Sequence, residues 1–170
     1  MTEKNIVLVG FMGSGKSKVS QKLSQMTGRV VYSTDEEIER KEGVKIAEIF
    51  QKRGEPYFRQ QEREAVRNIA GKSGLIIDCG GGIVIDQDNI DDLKKNGILF
   101  YLSASPDFLL STIKLNKNRP LMQVEDPLAK IREMLKARQK FYKQADFTVV
   151  SENKTINQIS KEIMEIMNNE

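Results

Sequence analysis

Asn5-Ile6-Val7-Leu8-Val9-Gly10-Phe11-Met12-Gly13-Ser14-Gly15-Lys16-Ser17 is the stretch on which the fold turns. It opens with Asn5–Val9, a short β-branched apolar run with the pattern of a buried strand. Downstream, Val19, Leu23 and Met26 recur at helical spacing, which predicts a helix through Lys18–Thr27. Between the two, Gly10–Ser17 follows G-x-x-x-x-G-K-[ST] completely. A glycine-rich turn can match this pattern by chance. A strand before it and a helix after it are the context that a phosphate-binding loop (P-loop) requires. The glycines permit a tight turn with backbone N–H groups pointing inward, and the helix N-terminus adds partial positive charge. Gly13, Ser14, Gly15, Lys16, Ser17 and Lys18 are therefore expected at ATP, with Lys16 reaching the β- and γ-phosphates and Ser17 ligating Mg²⁺.

Outward from this loop, apolar runs and helical periodicities alternate. Val30–Tyr32, Leu75–Ile77, Ile98–Leu102 and Phe147–Val150 read as strands. Ser33–Glu37 opens a helix that Thr34 or Asp35 is placed to cap, and helical pieces follow that break at Gly43 and again at Gly54-Glu55-Pro56. Tyr57–Lys72 is a charged helix with Phe58, Ala65, Val66 and Ile69 inward, and Asp86–Asn96 is a polar helix with Gly97 as its C-cap. Ser105-Pro106 opens another helix, Pro127–Gln144 is a long one, and Thr155–Met167 closes the chain with an isoleucine stripe. Asn116–Asp126 lacks apolar periodicity and reads as a mobile loop. Strands alternating with helices need crossover connections, so the expected class is α/β: a five-stranded parallel sheet with helices on both faces, the three-layer P-loop NTPase fold. Ligands in such sheets sit outside the carboxyl ends of the strands. That brings the loops at Gly10–Ser17, Ser33–Asp35, Asp78–Gly82 and Ser103–Ser105 to one crevice.

At 170 residues the chain is expected to be a single domain spanning 1–170. Its net charge of +3 comes from interleaved acids and bases, which argues against a nucleic-acid surface. No apolar run reaches the ~20 residues of a membrane span, and Met1–Lys4 leads straight into the first strand, so no signal peptide is expected. The lone Cys79 excludes an internal disulfide and fits a reducing, cytoplasmic setting. The absence of histidine rules out an imidazole base or ligand and makes oxygen-ligated Mg²⁺ the natural metal.

Within the crevice, Asp35 is placed to orient an acceptor hydroxyl and take its proton, although read alone it is equally a helix N-cap. Gly80, Gly81 and Gly82 cost conformational entropy, which suggests backbone N–H groups brought close to a polar ligand; a plain flexible loop is the alternative. Arg59 and Arg138 are far apart in sequence and suit a fork around a substrate carboxylate, although single arginines are more often surface residues. Arg119, in the loop, is placed to fold onto the γ-phosphate as part of a closing lid, or else is an exposed cation.

Read in order, Gly10–Ser17, Thr34–Glu39, Ile46–Phe50, Gly54–Glu62, Gly80–Gly82, Arg119-Pro120-Leu121 and Arg138–Ala145 resemble shikimate kinase over nearly the whole chain. The resemblance implies ATP-dependent phosphorylation of the shikimate 3-hydroxyl on the route to chorismate, by a protein with strand order 2-3-1-4-5. It implies catalytic roles for Lys16, Asp35 and Arg119, and shikimate binding by Asp35, Arg59, Gly80, Gly81, Gly82 and Arg138. It also implies a substrate-binding helical segment at about 34–62, a lid at about 116–126, and a monomer with no membrane or nucleic-acid partner. Two positions depart from the family pattern. Ser33 stands where an aspartate of the Mg²⁺ environment is usual, so Asp78 is expected to supply that carboxylate through a water. Thr112 stands where an arginine usually packs on adenine. A gluconate-kinase-like sugar acid kinase is the alternative enzyme, and an ATP-binding regulator without turnover is the non-enzymatic one.

Overall fold

The computed structural model describes residues 3–115 and 123–170. In chain order these form β1 (Asn5–Val9), α1 (Lys16–Thr27), β2 (Val31–Ser33), α2 (Thr34–Glu42), α3 (Ile46–Ala70), β3 (Ile76–Asp78), α4 (Gln87–Lys95), β4 (Gly97–Ser103), α5 (Pro106–Ile113), α6 (Pro127–Tyr142), β5 (Phe147–Val150) and α7 (Ile156–Met167). The sheet is parallel at every pairing and has the order β2-β3-β1-β4-β5. Side chains alternate across β1. Val7 and Val9 pack with Val66, Ile69, Ile90, Leu93 and Tyr142 on one face, and Ile6 and Leu8 pack with Val19, Leu23, Ile159 and Ile163 on the other. A strand buried on both faces has to be apolar throughout, which is why β1 and β4 read as continuous hydrophobic runs.

Several helix boundaries differ from the sequence expectation, each for a local reason. Ser33, not Thr34 or Asp35, caps α2: its hydroxyl accepts from the Glu36 amide at 3.3 Å, and the two expected caps lie in the first turn. Gly97 does not cap α4. It is the first residue of β4, where a Cβ would meet Val7 Cγ2 at 2.7 Å and the Leu93 carbonyl oxygen at 2.8 Å, so close packing rather than a turn requires the glycine. A 3-10 turn at Ile83–Ile85, unforeseen in the sequence, links the glycine triplet to α4. The expected break at Gly54 is present: φ 80 and ψ 171 divide α3 into two lengths, with Pro56 in the opening turn of the second.

Three further features set up the site. Register pairs Leu8 with Asp78 and Ser33 with Asp78, so the ends of β1, β2 and β3 coincide. Phe11, Leu109, Ile113 and Ile131 form a small core that seats the glycine-rich loop on α5 and α6. Ile38, Ile49, Phe58 and Ala65 join α2 to α3 and hold the inner face of that pair against the site.

Candidate active site

The loop Gly10–Lys16 wraps the start of α1. Gly13 shows why no side chain is tolerated there: φ is +83, and a Cβ would collide with Thr112 Oγ1. Lys16 folds back over the loop, donating from Nζ to the Gly10 carbonyl at 2.8 Å and the Phe11 carbonyl at 3.1 Å. Thr112 Oγ1 lies 2.8 Å from the Gly13 carbonyl and 2.9 Å from that of Leu109, so its hydroxyl ties α5 to the loop.

Behind the loop, Ser17 Oγ donates to Asp78 Oδ2 at 2.6 Å. Asp78 is buried, and burial raises its pKa against the opposing effects of the Ser17 bond and the Lys16 charge. Ser33, its register partner, is engaged as the α2 cap. Among the described residues no group of three or more histidine, cysteine or acidic side chains could cage a metal. The Ser17–Asp78 pair instead offers hard oxygen donors of the kind Mg²⁺ takes when nucleotide phosphates and water supply the rest of its shell.

On the other side, Met12, the first turn of α2, both lengths of α3, the glycine triplet and α6 line a cavity of about 200 Å³. Asp35 projects here, with Oδ1 buried and without a hydrogen-bond partner among the described residues. Burial raises its pKa despite the nearby Lys16. Arg59 donates from Nη1 to Glu62 at 2.6 Å, and from Nη2 and Nε to Glu55 at 3.1 and 3.3 Å. A guanidinium has about five N–H donors, so these three bonds leave two for a ligand. Arg138 donates to the Gly81 carbonyl at 3.1 Å, and its guanidinium lies 5.5 Å from the centroid of the Phe11 ring.

The triplet is pinned rather than loose. The Gly80 amide donates to Thr34 Oγ1 at 2.8 Å, and the Ile83 and Ile85 amides donate to the Gly80 and Gly82 carbonyls, each at 3.1 Å. These bonds use the amide of Gly80 but not those of Gly81 and Gly82. Space is short at two of the three positions: a Cβ at Gly80 would displace the Asp35 carboxylate and one at Gly82 would displace the Arg59 guanidinium, whereas Gly81 has room for one.

Sequence reasoning missed Glu62 as part of the site. It is 1% exposed, and burial pushes its pKa up to about 7 against the pull of Arg59. The signal was available: Glu62 falls in phase with Phe58, Ala65, Val66 and Ile69, an acid on the apolar stripe of its own helix. Thr34, the anchor of Gly80, was missed because its role depends on a strand 44 residues away. Arg119 and most of the segment 116–126 lie outside the described residues.

A larger cleft of about 590 Å³ runs from Met12–Lys18 past Asp78 to Thr112, Leu115 and Ile156. The two spaces share Met12, Asp35 and Gly81 as walls. A phosphate-binding loop on a five-stranded parallel sheet, with a second pocket walled by arginines opening beside it, defines a P-loop small-molecule kinase. A family model described as shikimate kinase matches residues 12–168, and a shikimate kinase of Caldanaerobacter subterraneus subsp. tengcongensis is 42% identical over 161 residues, covering 95% of this chain and 94% of that protein. The chain belongs to the shikimate kinase family. A shikimate kinase from Acinetobacter baumannii, solved in complex with shikimate, superposes with a TM-score of 0.93 at 36% identity, covering 99% of this chain and 94% of the other. A gluconokinase from Sinorhizobium meliloti reaches a TM-score of 0.58 at 13% identity, with 99% and 94% covered, and so shares the fold alone.

Proposed function

We infer that the protein transfers the γ-phosphoryl group of ATP to the 3-hydroxyl of shikimate, giving shikimate 3-phosphate and ADP in the biosynthesis of chorismate and the aromatic amino acids. The observation that carries the reading is the meeting of the two pockets at Asp35. A nucleotide entering from the loop side and a small acid entering from the arginine side would present their reacting groups to one another there.

Each residue has a task set by its chemistry. Gly13–Lys18 cradle the nucleotide phosphates, and Lys16 neutralises charge on the transferring group. Arg59 and Arg138 hold the shikimate carboxylate, with Glu62 and Glu55 fixing the Arg59 plane. The unpartnered Asp35 Oδ1 accepts from the acceptor hydroxyl and takes its proton as the bond to phosphorus forms. The Gly81 and Gly82 amides complete the polar wall. Ser17, with Asp78 acting through water, would hold Mg²⁺, which supplies neutralisation of the β- and γ-phosphate charge when bound. Arg119 is assigned to the nucleotide as part of a lid at 116–126, and 34–62 is assigned to the acceptor.

Gluconate phosphorylation lacks sequence support beyond the shared fold, and a regulator without turnover would have no need of a buried, unpartnered carboxylate between the pockets. No helix among the described residues is long and apolar enough to cross a membrane; a cytoplasmic monomer is part of the proposal. ADP release from Mg-ATP, measured with shikimate, with gluconate and with neither, tests the reading. Release that depends on shikimate is expected. Release that depends on gluconate, or on neither acid, would overturn it.

A further inference from the structure

Tyr142 meets both Arg138 and the glycine triplet, although it lines neither pocket. It follows Arg138 by one turn of α6, and this i, i+4 spacing sets both side chains on one helix face. They converge on one atom: Arg138 Nη1 donates to the Gly81 carbonyl oxygen at 3.1 Å, and Tyr142 Oη donates to it at 3.2 Å. The Tyr142 ring is 2% exposed and stacks on Tyr101, with centroids 4.4 Å apart and planes 5° from parallel. A buried phenol requires a hydrogen-bond partner, and Tyr142 finds the Gly81 carbonyl and the Arg138 guanidinium together. Burial pushes its pKa up to about 12, against the nearby Arg138, so the hydroxyl stays a donor throughout the neutral range.

Gly81 has no side chain to fix its own peptide plane. On one side Thr34 holds the Gly80 amide; on the other, two donors from α6 are the Gly81 carbonyl's partners among the described residues. We propose that Tyr142 is a positioning residue for acceptor binding, its hydroxyl locking the Gly81 carbonyl and so aligning the Arg138 guanidinium and the Gly81 and Gly82 amides with shikimate. The proposal rests on the assignment of Arg138 and the triplet to the acceptor. With the hydroxyl gone, the carbonyl is held by Arg138 alone, and the peptide and the guanidinium tilt together away from the geometry that grips a carboxylate.

Tyr142→Phe keeps the ring and its stack and removes one oxygen. Kinetics with both substrates varied, on Tyr142→Phe, Arg138→Lys and the double variant, form the test, with circular dichroism melting to establish that each is folded. The expected result is a rise of about three- to tenfold in KM for shikimate in Tyr142→Phe, the scale of one neutral hydrogen bond, with KM for ATP unchanged. The double variant is expected to fall clearly short of the product of the two single effects, since much of what the hydroxyl does passes through that guanidinium. If Arg138→Lys leaves KM for shikimate unchanged, the underlying assignment of Arg138 fails. If Arg138→Lys raises it while Tyr142→Phe leaves it unchanged, moves both Michaelis constants alike, or adds independently in the double variant, Tyr142 is only a packing residue and the proposal fails.

Discussion

Asp35 Oδ1 is buried without a hydrogen-bond partner among the described residues, and leaving such a group unsatisfied costs on the order of 1–3 kcal/mol. An acceptor hydroxyl would recover that cost. Arg59 and Arg138 differ in how they are held. Arg59 is paired to Glu62 and Glu55, whereas Arg138 is held by the Gly81 carbonyl and packs against Phe11. Losing one charge-assisted bond to a carboxylate costs about 1.5–3 kcal/mol, so Arg59→Ala and Arg138→Ala are each expected to raise KM for shikimate by roughly ten- to a hundredfold. KM for ATP should change far less; an effect confined to ATP would place these arginines on the wrong ligand.

At the scale of elements, the ends of β2 and β3 carry the consequence of having serine at position 33. Ser33 and Asp78 are register partners; Ser33 caps α2, while Asp78 accepts from Ser17 beside the phosphate loop. Asp78→Asn keeps the shape and removes the charge, and is expected to raise the Mg²⁺ needed for half-maximal rate, with partial reversal on adding Ser33→Asp. An unchanged Mg²⁺ requirement in the folded variant would leave Asp78 a structural residue. The central strands β1 and β4 were legible because a doubly covered strand must be apolar, and the break in α3 was legible because Gly54 and Pro56 punctuate it. The α2 cap was not, since Ser33-Thr34-Asp35 offers three adjacent capping side chains and only the path of the chain out of β2 selects among them. The pinning of the glycine triplet was equally hidden: its partners come from Thr34 and from α6, and nothing local to Gly80–Gly82 announces them. Thr112 was read against an adenine-packing arginine, yet its hydroxyl turns to the Gly13 carbonyl, a contact 99 residues apart in sequence.

Across the whole molecule, one end of the sheet gathers the buried or largely buried carboxyls Asp35, Glu62 and Asp78 with Lys16, Arg59 and Arg138. Stability is therefore tied to pH. Glu62 has a pKa of about 7 in the fold against an ordinary 4.5, so between those values the folded chain keeps a proton that the unfolded chain has lost. Its contribution is fully present below about pH 4.5 and is lost as pH rises through about 7. Glu62→Gln stays uncharged throughout, and chemical denaturation across that window is expected to show the variant gaining on wild type as pH rises; a constant difference would contradict the burial of this carboxyl. On the proposed reading, the same convergence of charge and cavity would direct transfer to a single hydroxyl, because Asp35 lines both the phosphate-loop cleft and the arginine pocket. The most direct test is phosphorus–proton correlation NMR of the product formed from Mg-ATP and shikimate. The prediction is a single phosphomonoester whose phosphorus couples to the proton on carbon 3. Phosphate on another hydroxyl, a mixture of positions, or no shikimate ester at all would contradict it.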